Sequence, residues 1–293
     1  MSTSLATAGK QGAASPFTMY VRGPLSIAVY TWREGIRKKT LVGFLILSLL
    51  VIFGSFFMGS FLDYQTVGSA STDIDLKLVK DICVSTISIF GVLIAIFISA
   101  SVVPNEMENK VIYTVLSKPV RRFQYLLGKF VGVQLIIIVN LALMGGLFFI
   151  ALYLQQRVLP TLLLWSILLT YFEFLIVSAF TFAVSCTSTS SVLPTIAGLF
   201  IYFVGNLTEY LKDMENRAAA SGETVDLVMS WTAAVLRNIL PNLQNFSLKT
   251  QLLNGQPNDP PSDVLIPQLI VYSLVFSVAG FIIAYWIFRR KEL

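Results

Sequence analysis

Apolar runs longer than a soluble core helix needs dominate this chain. Leu41 to Leu62 and Ile82 to Val103 each hold 22 residues without a charge, and about 20 suffice to cross a hydrocarbon core of ~30 Å as a helix. Phe130 to Leu154 is a third such run. Val158 to Ser185 is a fourth, with one carboxylate, Glu173, near its middle, and Leu265 to Phe288 is the last. Val192 to Leu207 is also apolar but short for a full crossing, and only Cys186 to Ser191 separates it from the run before. The pattern predicts an all-α polytopic membrane protein with six transmembrane helices, over about 41–62, 82–103, 130–154, 158–185, 192–207 and 265–288.

Helical periodicity continues outside the spans. From Pro24 to Lys39, residues Leu25, Ala28, Val29, Trp32 and Ile36 fall on one face, with Ser26, Arg33, Glu34 and Arg37 opposite. This predicts an N-terminal interfacial amphipathic helix, opened by a proline in its first turn and pinned by Arg37, Lys38 and Lys39. Residues 208–263 form a long polar segment before the last span. Within it, Val225, Val228, Met229, Trp231, Val235, Leu236 and Ile239 recur near helical spacing until Pro241, which predicts a second surface helix. Asn254 to Asp263, with Gly255 and three prolines, reads as a loop.

Composition agrees with a bilayer environment. Of 293 residues, 55% are hydrophobic and 13% charged, with a mean hydropathy of +0.75, against roughly 25% charge in an average soluble domain. The first 20 residues lack the continuous apolar run of a secretory signal, so residues 1–23 are expected to be a disordered cytoplasmic tail and 24–293 one membrane domain. Cys83 and Cys186 have no paired spacing and there is no His. Neither a disulfide framework nor a metal site is expected, and scattered Met residues offer no soft-ligand path for copper.

Lys and Arg asymmetry sets the expected orientation. Residues 1–39 carry six basic and one acidic residue and residues 104–129 five and two, while residues 63–81 carry two and four and residues 208–263 four and seven. Arg289, Arg290 and Lys291 stand against Glu292 at the C-terminus. Both termini and the 104–129 loop are therefore expected in the cytoplasm, in a cell (inner) membrane. An even number of spans is then required.

That loop carries the functional reading. Pro104 can begin a helix, Glu106 and Glu108 sit in the first turn where the helix dipole favours them, and Met107, Val111, Thr114 and Val115 share a face before Pro119. Such a helix either docks into a groove on a soluble partner or merely closes the loop, and the residues alone leave both open. The order Glu-x-Glu, then Val-Leu-Ser-Lys-Pro-Val-Arg-Arg, then Tyr-Leu-Leu-Gly-Lys resembles the permeases of ABC-2-type exporters, in particular the multicopper-enzyme-maturation group. The amphipathic helix, the long outer segment with Pro241-Asn242-Leu243 and the basic C-terminus are similar too, although Asn206 follows Gly205 where such permeases commonly carry His.

The resemblance implies that 104–121 is a cytoplasmic coupling segment, with Glu106, Glu108, Ser117, Lys118, Pro119 and Arg121 contacting an ABC ATPase subunit. It also implies a second permease chain, as homodimer or heterodimer, and export as the direction. The only Gly-Lys after the tail, Gly128-Lys129, is followed by Phe130 and lacks the P-loop spacing. No cofactor is expected in this chain; ATP and Mg2+ would belong to the partner, and no nucleic-acid partner is expected.

Two intramembrane polar residues are further candidates. Glu173 is costly at mid-span and should face a helix interface or wet cavity, and Asn140 is expected to bond between helices. Gly128 and Gly132, like Ser55 and Gly59, have the spacing of close helix contacts. An ion-coupled secondary transporter and a non-transporting scaffold are the alternatives. The first should show paired buried charges in two repeats, and the second explains neither the loop nor the uncharged spans.

Overall fold

The computed structural model describes residues 16–65, 72–108, 121–156, 161–207, 241–248 and 266–291. Among these, all regular structure is helical. The helices are α1 Pro16–Ile36, α2 Lys39–Gln65, α3 Thr72–Ser101, α4 Pro104–Glu108, α5 Arg122–Gln156, α6 Thr161–Ser185, α7 Val192–Asn206 and α8 Ile266–Arg290, with a 3-10 turn at Gln244–Phe246 between the last two. Among the described residues, five stretches have the length and apolarity to cross a membrane: Lys39–Met58, Lys77–Glu108, Arg122–Leu154, Leu162–Ser185 and Ile266–Arg290. The sixth expected span, α7, has 15 residues, about 22 Å at 1.5 Å per residue, less than a ~30 Å core.

Packing sorts the helices by their composition. In α3 and α6, 61% and 67% of the most apolar stretch is buried, against 22% in α2 and in α8, so α3 and α6 form the centre and α2 and α8 flank it. Side chains such as Leu50, Phe53 and Phe57 on α2 and Val275 and Ile282 on α8 remain exposed, the surface a bilayer covers. Small residues set the close approaches. A methyl group added at Gly132 would lie 2.6 Å from Cβ of Thr31, and one at Gly128 2.6 Å from the Pro24 carbonyl oxygen, so this glycine pair seats α1 directly on α5.

Several boundaries differ from expectation. The first helix starts at Pro16, so Pro24 lies inside it and residues 16–23 are helical. On α1 the residues that pack inward are Ala28, Thr31 and Gly35, while Leu25, Val29 and Ile36 stay exposed for the bilayer interface. The third span begins at Arg122, eight residues before Phe130, which brings Tyr125 and Lys129 onto the helix. The helical pattern at 225–239 and the loop at 254–263 lie outside the described residues.

At the far end of α7 the chain does something apolar periodicity does not encode. Residues 241–248 return as a largely irregular strap around the 3-10 turn, whose Leu243, Phe246 and Leu248 are buried, and the Leu243 N–H donates to the Gly205 carbonyl at 3.2 Å. The Asn242 N–H donates to the Tyr272 hydroxyl of α8 at 3.0 Å. Such backbone is tolerated beside a membrane core only when protein surrounds it. A Cβ at Gly205 would sit 2.6 Å from Leu243 Cδ1, so glycine admits the strap.

Candidate functional site

At the opposite end, α3 stops at Ser101, turns through Val102 and Val103, and restarts at Pro104 as α4. This kink swings Glu106 inward, where it is 5% exposed. An ionised carboxylate without partners there would cost several kcal/mol. Two partners come from α5, one turn apart: the Tyr125 hydroxyl donates to one carboxylate oxygen of Glu106 and the Lys129 ammonium to the other.

Lys129 is 1% exposed, and a second carboxylate, Glu34 of α1, lies 4.0 Å from its nitrogen. The rings of Tyr30 and Tyr125 are 5.4 and 6.0 Å from it. Glu34 in turn stands 4.0 Å from Lys38, whose ammonium donates to Ser101 Oγ at 2.9 Å. Four charges and a phenol thus join α1, the α1–α2 turn, the end of α3, α4 and α5. Burial holds the Lys38 ammonium below its ordinary pKa, opposed by Glu34.

The C-terminus of α8 closes the same end. Arg122 donates to the backbone carbonyls of Arg289 and Lys291 at 3.1 and 3.2 Å, the rings of Tyr125 and Phe288 stack at 5.8 Å, and the Lys291 ammonium donates to Met107 Sδ at 3.4 Å. Cys186, buried beside them, has its thiol pushed up to about 12 by burial, with the Lys291 charge opposing. Lys291 itself is lowered by burial.

Of the residues the sequence singled out, Glu106 is therefore interior, while Glu108 and Arg121 are exposed. Ser117, Lys118 and Pro119 lie outside the described residues. Lys129, Tyr125, Glu34 and Lys38 were not singled out as site residues. The signal was present as the four-residue spacing of Tyr125 and Lys129 opposite an acid that follows a helix-starting proline.

Glu173 is elsewhere, buried on α6 near the Asn206 side chain of α7, whose amide donates to the Tyr202 carbonyl at 3.1 Å. It faces a helix interface, one of the two surroundings expected. Asn140 differs from expectation: its amide donates to the Ile136 carbonyl of its own helix at 2.8 Å, the usual way an isolated amide satisfies itself when no facing helix offers an acceptor. Among the described residues, no group of three or more His, Cys, Asp or Glu is placed to hold a metal ion.

Five apolar spanning helices with bilayer-facing flanks, fastened at one end by buried ion pairs, define a multi-pass membrane protein. The chain belongs to the ABC-2 transporter family: residues 25–293 match the family described as ABC-2 family transporter protein. It is accordingly a permease subunit of an ABC transporter. No curated protein matches it significantly.

Proposed function

We propose that this chain forms the translocation pathway of an ATP-driven exporter and couples to its ATPase through residues 104–121. The Lys38 end and both termini lie in the cytoplasm, where Arg33, Arg37, Arg121 and Arg289 gather exposed positive charge. ATP and Mg2+ belong to the ATPase, and two permease chains, identical or not, complete the transporter.

The observation that carries this reading is the Glu106–Lys129 pair. A thrust on the 104–121 segment cannot move Glu106 alone, because stranding either buried charge costs about 3–5 kcal/mol. The end of α3, α4 and α5 therefore shift together, and the displacement reaches two spans at once. Glu108 and Arg121, exposed at either edge of the segment, serve as contacts to the ATPase, with Ser117, Lys118 and Pro119 between them. Glu106 acts from inside as a positioning residue.

Copurification with ATP-turnover measurement tests both parts. Reversing the exposed charges, Glu108→Lys with Arg121→Glu, is expected to lose the copurifying ATPase. Neutralising the interior pair, Glu106→Gln with Lys129→Met, is expected to keep the complex but lower turnover about fivefold or more, the scale of a typical coupling free energy. Failure of the wild-type chain to bring down any P-loop ATPase, or an intact complex after charge reversal, would overturn the proposal.

A further inference from the structure

A groove of about 380 Å³ opens at the Lys38 end, between the start of α2, the end of α3 and the start of α7. Its size falls within the range of small-ligand sites. Its lining combines polar residues, Lys38, Thr40, Ser101, Asn105, Ser191 and Thr195, with apolar ones, Leu41, Phe97, Val192 and Ile196. Among the described residues, no carboxylate lines it. Glu34, the nearest acid to Lys38, and Glu106 are matched by Lys38 and Lys129 within the buried cluster, while Arg37 and Lys39 stand exposed beside the opening.

The groove sits where α2 and α7 begin, at the end of the bundle that carries Lys38. Its apolar lining does not end there. Val192 and Ile196 are exposed and continue into Phe200 and Phe203 along α7, and Val42, Ile46 and Leu50 form an exposed row along α2. A cation and polar hydroxyl groups at the mouth, beside exposed apolar rows along the two helices, match the layout of an anionic amphiphile.

We propose that this groove seats the headgroup of an anionic phospholipid from the leaflet at the Lys38 end, with the acyl chains lying along α2 and α7. The hydroxyls of Ser191 and Thr195 and the Lys38 ammonium face the phosphate, and Arg37 and Lys39 flank it. Because burial depresses the Lys38 pKa, a bound anion favours its charged form. The site requires neither ATP nor an ATPase partner, so it stands apart from the coupling proposal.

The full chain, purified in detergent and examined by native mass spectrometry with phosphatidylglycerol, phosphatidylcholine or inorganic phosphate, tests this. One phosphatidylglycerol per chain is expected to be retained in preference to phosphatidylcholine. Lys38→Gln should reduce that retention about fivefold or more, in line with the contribution of one basic residue at an anionic surface. Since Lys38 also holds Ser101 and Glu34, Thr195→Trp provides an independent variant that fills the groove from α7 and should expel the lipid with Lys38 intact. Equal retention of the two lipids, or unchanged retention in Thr195→Trp, overturns the proposal. Displacement of the lipid by millimolar inorganic phosphate alone also overturns it, by making the groove a simple anion site.

Discussion

At the scale of single residues, Lys129 makes the sharpest commitment. Its ammonium is held by two carboxylates in a setting that excludes water, so Lys129→Ala leaves Glu106 buried without its cation. A loss of about 3–5 kcal/mol is expected, read as a lowered midpoint of thermal unfolding in detergent. Combining Glu106→Gln with Lys129→Met removes both charges and should recover most of that loss, since a neutral pair carries no desolvation penalty. Cys186 offers a simpler test. With its thiol pushed up to about 12, roughly one molecule in 10⁴ is thiolate at pH 8. Maleimide labelling of a Cys83→Ala variant should therefore be slow in the folded protein and fast in denaturant. Rapid labelling of the folded chain would show that Cys186 is not sealed beneath α8.

At the scale of elements, the spans were legible because uncharged length is a direct requirement of the hydrocarbon core. The start of α5 was not, and the cause is specific. Arg122, Tyr125 and Lys129 read as loop on any hydropathy measure, yet Tyr125 and Lys129 lie on the helix, where Glu106 accepts a hydrogen bond from the phenol and pairs with the ammonium. Pairwise satisfaction between residues 19 and 23 positions apart leaves no trace in local pattern. The Gly128–Gly132 spacing announced a close contact without naming its partner, which proves to be α1. Gly132→Leu should drive α1 off α5 by steric overlap with Thr31, at a cost of about 1–3 kcal/mol. Limited proteolysis would report it, with cleavage inside residues 24–36 in the variant and protection in the parent.

At the scale of the whole molecule, the charge distribution and the ionic cluster fall at one end, and the strap at 241–248 closes the other. The uncharged spans and the family match agree on a protein that lives in a bilayer, while the segment on which the strap depends carried only a Pro-Asn-Leu as a hint. The strap matters because α7 is too short to reach the far boundary and hands its last stage to backbone enclosed by α6 and α8. Next to α7, then, the lipid chains meet a hydrophobic wall of about 22 Å rather than ~30 Å. Membrane thickness becomes a working condition of the protein. Lipids with short acyl chains match α7 without deformation, and thick sterol-rich or long-chain bilayers must thin locally or tilt the helix, at fractions of a kcal/mol per Å. Reconstituted into a series of phosphatidylcholines of increasing chain length, the chain should show its highest unfolding midpoint in the thinner members. A midpoint independent of chain length would mean that the strap compensates fully for the missing turns of helix.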